Sequence, residues 1–163
     1  MSDNLLTRKY PNLNHVGTVV RDIDQAGRDN SKYFGLSAIA TRFKLRIENA
    51  LYRGKTVAFS AEFGFVELGN TMLELIQPLG NEPSPYLDAL QERGGGENTH
   101  HLAYLVPSID EHLEMVRKSN APLSVLFDAK LPDLMGRYVY IDGLVHGVLI
   151  ELMEFAQQQK SRR

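Results

Sequence analysis

His15-Val16-Gly17-Thr18-Val19-Val20-Arg21-Asp22-Ile23-Asp24-Gln25 and His101-Leu102-Ala103-Tyr104-Leu105-Val106-Pro107-Ser108-Ile109-Asp110-Glu111 can be written one under the other without a gap, at an offset of 86 residues. Each stretch opens on a histidine, continues as an apolar run suited to a strand, and reaches a helix-capping pair: Asp22 with Gln25, Ser108 with Glu111. Further on, Met72-Leu73-Glu74-Leu75-Ile76 answers Leu149-Ile150-Glu151-Leu152-Met153. Paired matches of this kind mark an internal duplication. Together the copies supply His15, Glu74, His101 and Glu151, and two imidazoles with two carboxylates form a complete ligand set for one divalent metal.

Working outward, the first cap opens a helix toward Tyr33 and Phe34, and the second a helix through Leu113, Met115 and Val116 that Asn120-Ala121-Pro122 ends. Strand-like runs follow each helix: Ala38 to Ile47, Thr56 to Leu68 and Met72 to Gln77, then Leu123 to Phe127, Tyr138 to Ile141 and Val148 to Met153. The chain therefore reads as α+β, with two tandem βαβββ modules over residues 12–80 and 99–155. Residues 81–98 form a helical linker, in which Ser84-Pro85 starts a short helix and Gly94-Gly95-Gly96 ends it. Residues 156–163 are a polar tail.

The 163 residues are 43% hydrophobic, which suits a folded globular chain. A net charge of −2 and a pI near 6.2 give no reason to expect nucleic acid or an anionic membrane as the main partner and leave a small-molecule substrate open. The absence of cysteine excludes disulfides, zinc ribbons and thiol nucleophiles. With no apolar run of the ~18 residues that a membrane span needs, and no signal-like N-terminus, a cytoplasmic protein is expected.

The Leu68-Gly69-Asn70-Thr71 stretch predicts a two-residue hairpin, with glycine where a type II′ turn prefers it. Its register sets Glu67 opposite Met72 and Phe65 opposite Glu74, so Phe63, Phe65 and Glu67 share the Glu74 face while Glu62 lies on the other. Glu74, flanked by Leu73 and Leu75, would be a buried charge in need of compensation, which a metal ion supplies. The alternative for Glu74 or Glu151 taken singly is the solvent-facing member of an alternating strand.

These segments, with Asn14-His15-Val16-Gly17, Leu68 to Gly80, His100-His101-Leu102-Ala103 and Gly147 to Leu152, resemble the vicinal oxygen chelate superfamily (glyoxalase, bleomycin resistance and dioxygenase proteins). Within it the sequence is most similar to the methylmalonyl-CoA epimerases. The resemblance implies a glyoxalase-like, cup-shaped mixed sheet around one divalent ion (cobalt, manganese, nickel, zinc or magnesium) and a homodimer. It assigns the metal to His15, Glu74, His101 and Glu151, and selects His101 over His100 because His101 aligns with His15. His100, His112 and His146 are read as surface or helix histidines.

The chemistry that the resemblance implies is isomerisation or epimerisation of a 2-carboxyacyl-CoA through an enolate, with Glu151 as one base. Glu67 is the candidate for the second, against the alternative of a solvent-exposed carboxylate. Phe65 is expected to line the substrate site. Arg42, Lys44 and Arg46 alternate with Phe43, Leu45 and Ile47, so one strand face is cationic and could hold coenzyme A phosphates. The alternative there is a solvated strand edge. Two other functions fit the same residues less fully: a glyoxalase I-type lyase acting on a glutathione hemithioacetal, and a non-catalytic binding protein of the superfamily. Extradiol dioxygenase chemistry uses two histidines and one carboxylate, one ligand fewer than are present here.

Overall fold

The computed structural model describes residues 13–92, 97–131, 136–142 and 147–155. The first copy contains β1 (Leu13–Val19), α1 (Ile23–Phe34), β2 (Thr41–Tyr52), β3 (Lys55–Leu68) and β4 (Thr71–Leu79). After α2 (Pro85–Glu92), the second contains β5 (Asn98–Leu105), α3 (Ile109–Lys118), β6 (Ser124–Leu131), β7 (Gly136–Asp142) and β8 (Leu149–Glu154). The expected capping holds, with Asp22 accepting from the Gln25 N–H and Ser108 from the Glu111 N–H, and Ser84 also accepts from the Leu87 N–H ahead of α2. The expected glycine linker, His146 and the polar tail lie outside the described residues.

The eight strands close into one strongly curved barrel in the order β1-β4-β3-β2-β6-β7-β8-β5. The first four places and the last four repeat one pattern, and the halves join by antiparallel pairing of β1 with β5 and β2 with β6. The duplication is visible residue by residue. On the parallel β1–β4 pair His15 stands opposite Met72 and Gly17 opposite Glu74; on β5–β8 His101 stands opposite Leu149 and Ala103 opposite Glu151.

Alternation along the strands divides the core. Leu75, Val66 and Val20 point outward to Ile23 of α1, while Val139, Ile141 and Leu152 meet Ile109 and Leu113 of α3. The other faces, with Val19, Phe59, Phe63, Phe127 and Tyr140, fill the interior together with Tyr86 from α2. Glu74 and Glu151 therefore sit on interior-facing positions between residues that serve the outer layer, which explains the apolar neighbours of both carboxylates.

The hairpin after β3 has the expected register, with Leu68 opposite Thr71 and Phe65 opposite Glu74, and Gly69 at φ 63°. The strand expected over Ala38 to Ile47 differs. It starts at Thr41 and runs to Tyr52, through a β-bulge between Ile47 and Ala50 where Asn49 takes φ 54°. Arg53 and Gly54, at φ 47° and 76°, then form the tight turn into β3. The extra length lets Leu51 and Tyr52 pair with Asp128 and Phe127 and so close the barrel.

Candidate metal centre

His15 on β1, Glu74 on β4, His101 on β5 and Glu151 on β8 converge in the barrel interior, with their ligand atoms all within 4.8 Å of one another. His15 Nε2 lies 3.1 Å from His101 Nε2, 3.2 Å from Glu74 Oε2 and 3.0 Å from Glu151 Oε2. His101 Nε2 lies 3.3 Å and 3.0 Å from the same two oxygens. With bonds of about 2.1 Å, neighbouring donors around one ion stand roughly 3.0 Å apart in an octahedron and roughly 3.4 Å in a tetrahedron. The five separations fall in that range.

The four side chains fit a cation on chemical grounds as well. All are buried, and Glu151 Oε2 makes no hydrogen bond despite two imidazole nitrogens close by. Two facing Nε2 atoms cannot both donate to each other; a shared ion satisfies both lone pairs and the orphaned oxygen. The electrostatics carry the same message. Burial alone would lower the His15 pKa, but the carboxylates of Glu151 and Glu74 beside it outweigh burial and raise it to about 10. Burial would likewise raise Glu151, yet His101 and His15 bring it down to about 2. Two buried carboxylates thus draw positive charge to this point, which a divalent ion would deliver.

Second contacts orient the imidazoles. His15 Nδ1 donates to Asn14 Oδ1 at 3.0 Å, so Nε2 is the nitrogen that faces the centre and would ligate an ion once its proton is displaced. His101 Nδ1 is 2.9 Å from His100 Nδ1; with its Nε2 turned to the cluster, His101 carries the proton at Nδ1 and donates it to His100. Expected at the surface, His100 is in fact buried, edge-on to the rings of Tyr86 and Tyr140 at 5.5 and 5.0 Å. The doubled histidine in the sequence was the available signal for this role. The hydroxyls of Tyr86 and Tyr140 are 2.8 Å apart, with Tyr138 at 3.5 Å, and burial pushes all three pKa values up, so they remain protonated. No sequence motif announced this cluster, because α2 and β7 meet only in the closed barrel.

A cavity of about 340 Å³ opens from the centre, lined by His15, Glu74 and Glu151 at one end and by Phe65, Phe63 and Phe43 along one wall. Phe65 thus lies in the cavity wall. Arg42, Lys44 and Arg46 do not: Arg42 and Lys44 pair with Glu62 on the outer face, Arg42 also with Asp24, and Arg46 with Glu48 and Glu82. Glu62, turned from the metal face as expected, is buried under these cations. Glu67 is exposed near the β3–β4 hairpin and does not line this cavity. His112 on α3 is half-buried.

Solved structures share this architecture. A hypothetical protein from Bacillus halodurans C-125 superposes with a TM-score of 0.64 at 24% identity, over 92% of this chain and 98% of that one. Methylmalonyl-CoA epimerase from Mycobacterium tuberculosis gives 0.62 at 21% identity, over 89% and 88%. A Streptomyces coelicolor methylmalonyl-CoA epimerase variant in complex with 2-nitronate-propionyl-CoA gives 0.63 at 19% identity, over 90% and 99%. At these identities the likeness establishes the fold alone. No curated protein matches the chain. Among the described residues no helix is long and apolar enough to cross a membrane. The sequence model of one family does match, over residues 14–130, from the first strand through the bulged hairpin to β6, so the chain belongs to the glyoxalase/bleomycin resistance protein/dioxygenase superfamily.

Proposed function

We propose that this protein is a metal-dependent isomerase or epimerase that acts through an enolate on a 2-carboxyacyl thioester such as methylmalonyl-CoA. The observation that carries the reading is the convergence of His15, Glu74, His101 and Glu151 at the inner end of a cavity. When bound, a divalent ion supplies an electrophile for the negative charge that develops on two neighbouring substrate oxygens.

The chain's own residues do the rest. His15 and His101 are held in the ligating tautomer by Asn14 and His100. Glu151 is the proposed base for the proton on the carbon between the two carbonyl groups. The phenylalanine wall keeps water from that carbon while it carries charge. Return of a proton to the other face requires a second group, for which Glu67 is the sequence's candidate; its exposed position leaves that role to be tested. The outward cations Arg42, Lys44 and Arg46 have no part in this reading. A homodimer is part of it, and light scattering at micromolar concentration checks the mass.

The test is incubation of metal-loaded protein with methylmalonyl-CoA in deuterium oxide. Deuterium entering that carbon at a rate abolished by Glu151→Gln supports the reading. Faster turnover of a glutathione–methylglyoxal adduct than of any acyl-CoA replaces it with a glyoxalase I-type lyase.

A further inference from the structure

We infer that the natural substrate carries a bulky apolar group, a ring or a branched chain, beside its pair of chelating oxygens. The inference rests on the reading of the site as a metal centre that chelates two substrate oxygens, and deepens it by naming the substituent. Phe65 touches the centre itself, edge-on to the His15 ring at 5.8 Å and an interplanar angle of 84°. From there the wall continues as stacked rings: Phe43 lies 6.2 Å from Phe65 at 23° and 5.5 Å from Phe63 at 24°. Leu45, Met72 and Met153 extend the same apolar lining.

Among the described residues, this lining offers no counter-charge for a further anionic group. The cation that lines it, Arg137, is held bidentately by Asp128 at 2.9 and 2.7 Å and by Asp110 at 2.9 Å, so it is already neutralised. Arg42, Lys44 and Arg46 are on the other face of β2. A second carboxylate or a phosphate would find no unneutralised cation among these lining residues, whereas a ring or branched chain packs against the three phenylalanines. Beside the two-oxygen head a methyl group reaches less of this apolar wall than a ring or branched chain does, so the inference narrows the proposed 2-carboxyacyl thioesters to those with a larger substituent than that of methylmalonyl-CoA.

The probes are acetohydroxamate and benzohydroxamate, which present the same two-oxygen chelating head and differ in methyl against phenyl. Each is titrated calorimetrically into the full chain loaded with cobalt(II), and into the same protein in EDTA, with affinities corrected for each probe's binding to free cobalt(II). The expected result is metal-dependent binding in which the phenyl probe is roughly tenfold or more tighter. In Phe43→Leu and Phe65→Leu the phenyl-to-methyl affinity ratio is expected to fall. Equal corrected affinities for wild type overturn the inference and leave the metal centre standing. Binding of neither probe to the loaded protein overturns the chelating site, and the inference with it. The wild-type ratio decides the matter even if a variant fails to fold.

Discussion

Gly17 stands opposite His101 on the β1–β5 ladder, and the imidazole of His101 occupies the space where a side chain at position 17 would project. A Cβ there would meet Cε1, Nε2 and Nδ1 of the ring. The mirrored pair, Ala103 opposite His15, does accommodate a methyl group, so the two halves of the duplication have diverged at this point. Gly17→Ala is expected to displace His101 and weaken metal binding by at least about tenfold, a cost comparable to losing an orienting contact. Competition against a fluorescent chelator measures it; unchanged affinity would show that the ring relocates without loss.

His100 is expected to act through His101. His100→Phe keeps the aromatic contacts with Tyr86 and Tyr140 but removes the acceptor for the His101 Nδ1 proton. Metal affinity should fall roughly 10–100-fold with all four ligands intact. His100→Asn, which retains an acceptor, should recover part of the loss.

These two residues show what could and could not be read in advance. The repeat of His15 with His101 and of Glu74 with Glu151 was legible because the same strand pairing recurs in both halves, down to the residue opposite each histidine. The Gly69-Asn70 turn likewise set the Phe65–Glu74 pairing, since a two-residue loop leaves little freedom of register. The face of the Arg42, Lys44 and Arg46 stripe was not legible. Counted back from the Arg53-Gly54 turn without interruption, β2 would set Arg42 opposite Phe65; the bulge between Ile47 and Ala50 shifts the pairing by one residue and sets Thr41 there instead. A one-residue slip exchanges the two faces of a strand, and no local pattern around Glu48 and Asn49 announces it. The tyrosine cluster was hidden for a different reason: its members are brought together by closure of the barrel.

Stability should depend on pH in opposite senses with and without the ion. In the apoprotein, the His15 contribution is full below its ordinary pKa of 6.5 and is lost as the pH rises through about 10. The Glu151 contribution is full above its ordinary 4.5 and is lost as the pH falls through about 2. Both are complete between pH 4.5 and 6.5, so in EDTA these groups stabilise most there. The ion displaces the His15 proton, and its affinity should rise with pH over the range in which that apoprotein contribution declines. At a concentration of about 100 times Kd, near pH 8, metal should raise Tm by roughly 5–10 °C. Scanning fluorimetry with and without EDTA across pH 5 to 9 checks both trends; a metal effect that shrinks as the pH rises would contradict them.

The outer carboxylates and cations should be dispensable for the centre. Glu67→Gln, exposed at the hairpin, and Arg42→Gln, tied to Glu62 and Asp24, are expected to bind one ion as wild type does and to bind hydroxamate probes unchanged. If Glu67→Gln also turns over methylmalonyl-CoA at the wild-type rate, Glu67 is removed from the mechanism. A loss greater than about tenfold, with metal content intact, would establish it as the second acid–base group.

His15, Glu74, His101 and Glu151 are expected to hold one divalent ion. Elemental mass spectrometry decides it, applied to wild type and to a Glu74→Ala, Glu151→Ala double variant after exposure to manganese, cobalt, nickel, zinc and magnesium and removal of free ions. About one tightly held ion per chain in wild type and none in the folded variant is the expected result. Wild type without bound metal, or a variant that retains a full complement, would contradict it.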